Sequence, residues 1–112
     1  MPTIALHTVL KSGREADYDQ VHSRVPDELV AALREHGVRD WRIWRDGVDV
    51  FHLVEVDDYH AMRAGLRDHP ANIDWQGRVG PLFDRPDSYT GDDDGLVRIW
   101  ALHDQIDAES GR

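Results

Sequence analysis

Tyr18 and His22 stand at positions i and i+4 of the stretch YDQVHSRVPDEL, Tyr18–Leu29. On a helix that spacing stacks the two side chains on one face. The same face carries Val25 and Leu29, so it points inward. An imidazole titrates near pH ~6.5, and beside a phenol in a half-dry setting it suits proton transfer. The spacing equally suits two boundary residues with packed bodies and hydrogen-bonded tips, and it leaves both readings open.

Tryptophan is the second signal, with four in 112 residues. Trp41 and Trp44 fall three apart in a β-prone run, so they face opposite sides of a strand. At most one of them joins Tyr18 and His22 in a single pocket. Trp75 lies after the second predicted helix. An indole face can lie against the C–H groups of a sugar ring, and its N–H can donate to a hydroxyl. Each indole is also simply a large core residue.

Other chemistries find no pattern. His7, His36, His52, His60, His69 and His103 show no metal-ligand spacing. GDDDG lacks the alternate-residue carboxylates of a calcium loop. There is no glycine-rich phosphate loop and no G-x-S-x-G. With no cysteines, thiolate nucleophiles, disulfides and cysteine metal sites are excluded. No cofactor is expected.

TIALHTVL (Thr3–Leu10) is a strand ending at the turn signal KSG. From Arg14 to His36 the pattern is helical, with Tyr18, His22, Val25, Leu29, Ala32 and His36 on one stripe. Gly37 stops it. Pro26 interrupts the hydrogen bonding, so the helix kinks or restarts there. VRDWRIWRD and VDVFHLVEV are strands joined at Asp46-Gly47, a hairpin signal. Asp57–His69 is helical with Asp57 or Asp58 as N-cap, and Pro70 ends it. ANIDWQGRVGPLF is a further helical segment. A polar loop runs from Asp84 to Gly95. LVRIWALH (Leu96–His103) reads as a last strand, before a frayed tail over residues 105–112.

The order β–α–β–β–α–(α)–β is that of a ferredoxin-like split βαβ, an α+β fold with an antiparallel sheet and helices on one face. Both sides of the third strand are fairly apolar: Val50, His52, Val54 and Val56 share one, Phe51 and Leu53 the other. The uncovered face predicts a homodimer of the dimeric α/β-barrel type.

The chain's 112 residues suit one domain, and 40% hydrophobic with 31% charged residues is a globular composition. A net charge of −9 repels phosphate backbones, so nucleic acid is not an expected partner. No 18-residue apolar run predicts a membrane span, and MPTIALHTVLKSG does not read as a signal peptide. A cytoplasmic location is expected.

From the first strand to RIWALH the chain resembles the L-rhamnose mutarotase family, small dimeric α+β proteins that interconvert the anomers of a 6-deoxy sugar. Tyr18, His22 and Pro26-Asp27-Glu28-Leu29 carry its most specific part, followed by LREHGVRDWRIWRD and Trp75. The resemblance implies a single mutarotase-like domain over residues 1–104, with a free monosaccharide of the L-rhamnose or L-fucose type as substrate. It implies His22 as acid/base, and Tyr18 as a hydroxyl donor that positions the sugar or relays a proton. Trp41 and Trp75 are implied as walls, with Trp44 a further binding candidate. The chain departs from the family at Ser23-Arg24 and Val25, where an Asn-Pro pair and a tryptophan are usual. Trp41 and Trp44 also replace two tyrosines, and an indole cannot accept a hydrogen bond as a phenol can. These departures keep open a cofactor-independent oxygenase or cyclase of aromatic or polyketide substrates, and a non-catalytic sugar- or partner-binding module.

Overall fold

The computed structural model describes residues 3–84 and 95–110. Three strands, β1 (Thr3–Val9), β2 (Val38–Asp46) and β3 (Asp49–Val56), form an antiparallel sheet in the order β1-β3-β2. The β2–β3 hairpin turns at Gly47, whose φ of 60° lies where a Cβ is disfavoured. Central β3 alternates as the sequence requires. Val50, His52, Val54 and Val56 are buried on one face, while Phe51 is exposed on the other.

Among the described residues, the two core clusters lie on that buried face. One cluster joins Leu6, Val54 and Val56 of the sheet to Ala32, Tyr59, Met62 and Leu66. The second joins Leu10 and Val50 to Tyr18, Leu29, Trp75, Val79, Leu82 and Phe83. The side chains that cover the sheet come from α1 (Glu15–Val21), α2 (Asp27–Glu35), α3 (Tyr59–Leu66), α4 (Pro70–Val79) and the 3-10 turn Gly80–Leu82, with Phe83 just after that turn. The α+β, ferredoxin-like arrangement with helices on one face of an antiparallel sheet is therefore what the chain adopts.

Helix ends follow local rules. Asp58, not Asp57, caps α3 by accepting from the Ala61 N–H at 3.0 Å. Pro70 opens α4 at its first turn, where a missing N–H costs nothing. Gly37, at φ 88°, ends α2. The stripe expected over Arg14–His36 is two helices, not one bent helix. Helix α1 stops at Val21 and α2 begins at Asp27, with Pro26 as its N-cap residue at ψ 142°. An extended ψ there is incompatible with a continuous helix.

The C-terminal region corrects two expectations. Leu96–His103 does not form a fourth strand of this sheet. Next to Gly95, which packs against Ile4 and Ala5, the Leu96 N–H donates to the Ala5 carbonyl at 2.7 Å, and among the described residues no strand pairing continues beyond it. Val97, Ile99 and Trp100 stand exposed, Ile99 at 90%. Alternation predicted a strand, yet a strand needs a neighbour along its whole length, and none lies there among the described residues. The tail expected to be frayed carries α5 (Leu102–Ser110). Apart from its two ends, the polar loop Asp84–Gly95 lies outside the described residues. Among those described, no helix is long and apolar enough to cross a membrane.

Candidate active site

The sheet and helices line a partly open cavity of about 370 Å³, within the usual size for small-molecule sites. Tyr18, His22, Trp41 and Trp75 all line it. Thus four of the five residues singled out from the sequence meet in one place. The fifth, Trp44, is 53% exposed and is absent from this lining. It borders a more open outer hollow with Asp19 and Arg45, and Tyr18, His22 and Trp41 reach that hollow too. The expectation that at most one of Trp41 and Trp44 shares a pocket with Tyr18 and His22 is corrected there, because the hollow lies at the edge strand β2, where both faces are reached. The Arg42 guanidinium lies 5.9 Å above the Trp44 ring.

A backbone irregularity decides which tryptophan faces in. Val38 pairs with Val56, but Asp40, not Arg39, pairs with Glu55. The bulge at Arg39 shifts the alternation by one residue. Val38 and Trp41 therefore share the helix-covered face although three residues apart, and Trp44 turns outward opposite Phe51.

His22 sits at the C-terminal end of α1, just past the last helical residue. Its ring lies against that of Tyr18, centroids 4.2 Å apart and planes 35° apart. Trp75 meets it edge-on at 5.0 Å, and Phe83 meets Tyr18 edge-on at 5.9 Å. The imidazole Nδ1 lies 3.0 Å from the Tyr18 carbonyl oxygen. A carbonyl only accepts, so Nδ1 carries the proton, and in the neutral ring Nε2 holds the lone pair.

The electrostatics favour the neutral ring. Burial pushes the His22 imidazole below its ordinary pKa, opposed by the hydrogen bond to the Tyr18 carbonyl and the charge of Asp19. Burial, with a smaller push from Asp19, holds the Tyr18 phenol far above its ordinary value. At neutral pH the site therefore offers a neutral imidazole with a basic Nε2, beside a phenol that keeps its proton. Asp19 is itself held below the usual carboxylate range by two bonds from Arg45, at 2.8 and 2.6 Å.

Several lining residues were not singled out in advance. His52, 9% exposed, is bonded on either side to Trp41 and Thr8. Arg63, 3% exposed, has its guanidinium 5.7 Å from the centroid of the Tyr59 ring. Asn72 is buried, donates to the Leu66 carbonyl at 3.0 Å, and accepts from Gln76. Only His52 left a trace in the sequence, as a polar residue in an otherwise apolar inward alternation. Among the described residues, no three His, Asp or Glu side chains gather as a metal site.

The fold and site define a small ferredoxin-like α+β protein whose aromatic-walled cavity holds a histidine suited to proton transfer. A model of the L-rhamnose mutarotase family matches residues 3–102, and the chain belongs to that family. An L-rhamnose mutarotase of Agrobacterium fabrum is 31% identical over 94 residues, 79% of this chain and 87% of its own length. Another, from Paraburkholderia phytofirmans, is 38% identical over 64 residues, 55% of this chain and 60% of its own. The chain thus spans about 60% of the length of that relative. A crystal structure of an L-rhamnose mutarotase from Formosa agariphila superposes with a TM-score of 0.73 at 16% identity, covering 91% of this chain and 99% of that one. At that identity the likeness concerns the fold.

Proposed function

We propose that the protein is an aldose mutarotase acting on a free 6-deoxy sugar of the L-rhamnose or L-fucose type, with His22 as its acid/base. The observation that carries this reading is the Nδ1 bond to the Tyr18 carbonyl. It leaves Nε2 as the acceptor of a ring that lines the cavity.

Mutarotation needs one proton moved twice. His22 Nε2 takes the proton from the anomeric hydroxyl, and the electron pair left on that oxygen forms the carbonyl as the C1–O5 bond breaks. The imidazolium returns the same proton to O5. The two oxygens share one carbon, so one imidazole serves both. The carbonyl end then turns about C1–C2, and the reverse steps close the ring on the other face. No electrons leave the sugar. Positioned acid/base catalysis of this kind contributes about 10²–10⁴-fold.

Tyr18 acts as a hydrogen-bond donor. Its phenolate would be buried without a counter-charge, so the hydroxyl holds the sugar oxygen and does not give up its proton. Trp41 and Trp75 supply the apolar walls, with Trp44 at the outer hollow beside them. The oxygenase or cyclase alternative gains no support from the family match.

The proposal extends to a cytoplasmic homodimer. The uncovered sheet face, with Trp44 and Phe51, and the protruding Leu96–Trp100 segment are apolar surfaces of the kind that a second copy covers. Anomer exchange measured by NMR saturation transfer over a panel of free aldoses tests the activity. Acceleration of L-rhamnose or L-fucose exchange is expected, and no acceleration of any aldose overturns the reading.

A further inference from the structure

His52 is the buried histidine that this proton transfer does not use. It sits mid-strand on β3, between Val50 and Val54, whose side chains are fully buried. An imidazole left unpaired there would be costly. Its partners reach it from the two flanking strands. The Trp41 indole N–H donates to His52 Nδ1 at 3.2 Å, and Thr8 Oγ1 lies 3.1 Å from Nε2. An indole nitrogen can only donate. Nδ1 therefore accepts and carries no proton, the neutral ring holds its proton on Nε2, and Nε2–H donates to Thr8. A hydroxyl oxygen that accepts there turns its own O–H elsewhere. Thr8, Trp41 and His52 line the same cavity as Tyr18 and His22.

We propose that Trp41, His52 and Thr8 form a directional relay that sets what the cavity recognises. The relay engages the Trp41 N–H inside the wall, so this indole offers a ligand its apolar face and no donor. It orients the Thr8 hydroxyl as a donor to a ligand oxygen, a hydroxyl or ring oxygen of a sugar, on the sheet side of the cavity. His52 is a positioning residue: it acts through Trp41 and Thr8. The ligand class rests on the mutarotase reading; the proton positions do not.

Two measurements on the full chain test this. Long-range ¹H–¹⁵N spectra of the histidine rings should show His52 as the Nε2–H tautomer. The Trp41 indole N–H resonance, assigned through Trp41→Phe, should move in His52→Leu. An Nδ1–H tautomer, or an indole resonance indifferent to His52→Leu, overturns the relay. In the exchange assay, Thr8→Val should raise KM about 3–10-fold, the loss of one hydrogen bond, with a smaller change in kcat, and Thr8→Ser should restore it. An unchanged KM in Thr8→Val overturns the donor role. If the unaltered protein exchanges no aldose while His52 shows the expected tautomer, the sugar assignment is overturned and the relay is upheld.

Discussion

The His22 ring lies 4.2 Å from that of Tyr18, and its Nδ1 is tied to the Tyr18 carbonyl at 3.0 Å. One residue thus orients the imidazole twice, by its ring and by its backbone. His22→Ala removes the base and should cut anomer exchange by about 10²–10⁴-fold with the fold retained. Tyr18→Phe removes one hydroxyl donor and should cost about 3–10-fold. Saturation-transfer NMR with circular dichroism checks both. Full activity in His22→Ala would refute the assignment, and a larger loss in Tyr18→Phe would move the proton role to the phenol.

Exchange should depend on pH with a single acid limb. Burial lowers the His22 pKa, so kcat/KM should stay level down through about pH 6.5, the ordinary histidine value, and fall only below it. The stability sign runs the same way. A depressed folded-state value means the unfolded chain binds the proton more readily. The group's contribution is present above about pH 6.5 and is lost as pH falls through the folded value. Exchange rates and denaturant melts across pH 4.5–8 check both, and a limb above pH ~6.5 contradicts them.

Asp19 raises the His22 pKa through its charge. Asp19→Asn removes that charge and frees the Arg45 cation beside the site. Both changes disfavour the imidazolium, so the acid limb should move to lower pH while the rate at pH 8 changes little. A limb displaced upward would show that Asp19 does not act electrostatically on His22.

Helix α3 packs against the end of α2 through a glycine. A Cβ at Gly65 would stand 2.5 Å from both Nδ1 and Cε1 of His36, too close for any real contact. Gly65→Ala should destabilise the fold by about 1–3 kcal/mol, the usual cost of overpacking. Gly65→Ala with His36→Ala should recover most of it. Thermal melts read both, and equal losses in the single and double variants would exclude the clash as the cause.

The outward sheet face should hold two copies together. Phe51, exposed on β3 and stacked on His7 at 4.9 Å, lies in the middle of that face. Light scattering should give twice the 12.8 kDa chain mass, and Phe51→Asp should reduce it to one. A monomeric unaltered protein, or a dimer indifferent to Phe51→Asp, would place the interface elsewhere or nowhere.

Much of this protein is written in rules that act over a few residues. The period-two run of β3, the Gly47 hairpin, the Gly37 stop and an aspartate cap at Asp57 or Asp58 needed nothing beyond neighbouring positions, so those elements were legible. So was the Tyr18–His22 pair, because one helical turn brings i and i+4 together whatever lies around them. Three things depended on distant parts of the chain. The Arg39 bulge chose Trp41 over Trp44 for the cavity, since only pairing with β3 reveals an extra residue in a ladder. The run Leu96–His103 has the alternation of a strand, but a ladder needs a partner along its length, and composition cannot say whether one is there. His52 acquired its meaning from Thr8 and Trp41, 44 and 11 residues away in sequence, because a hydrogen bond fixes a tautomer only when both partners are in place.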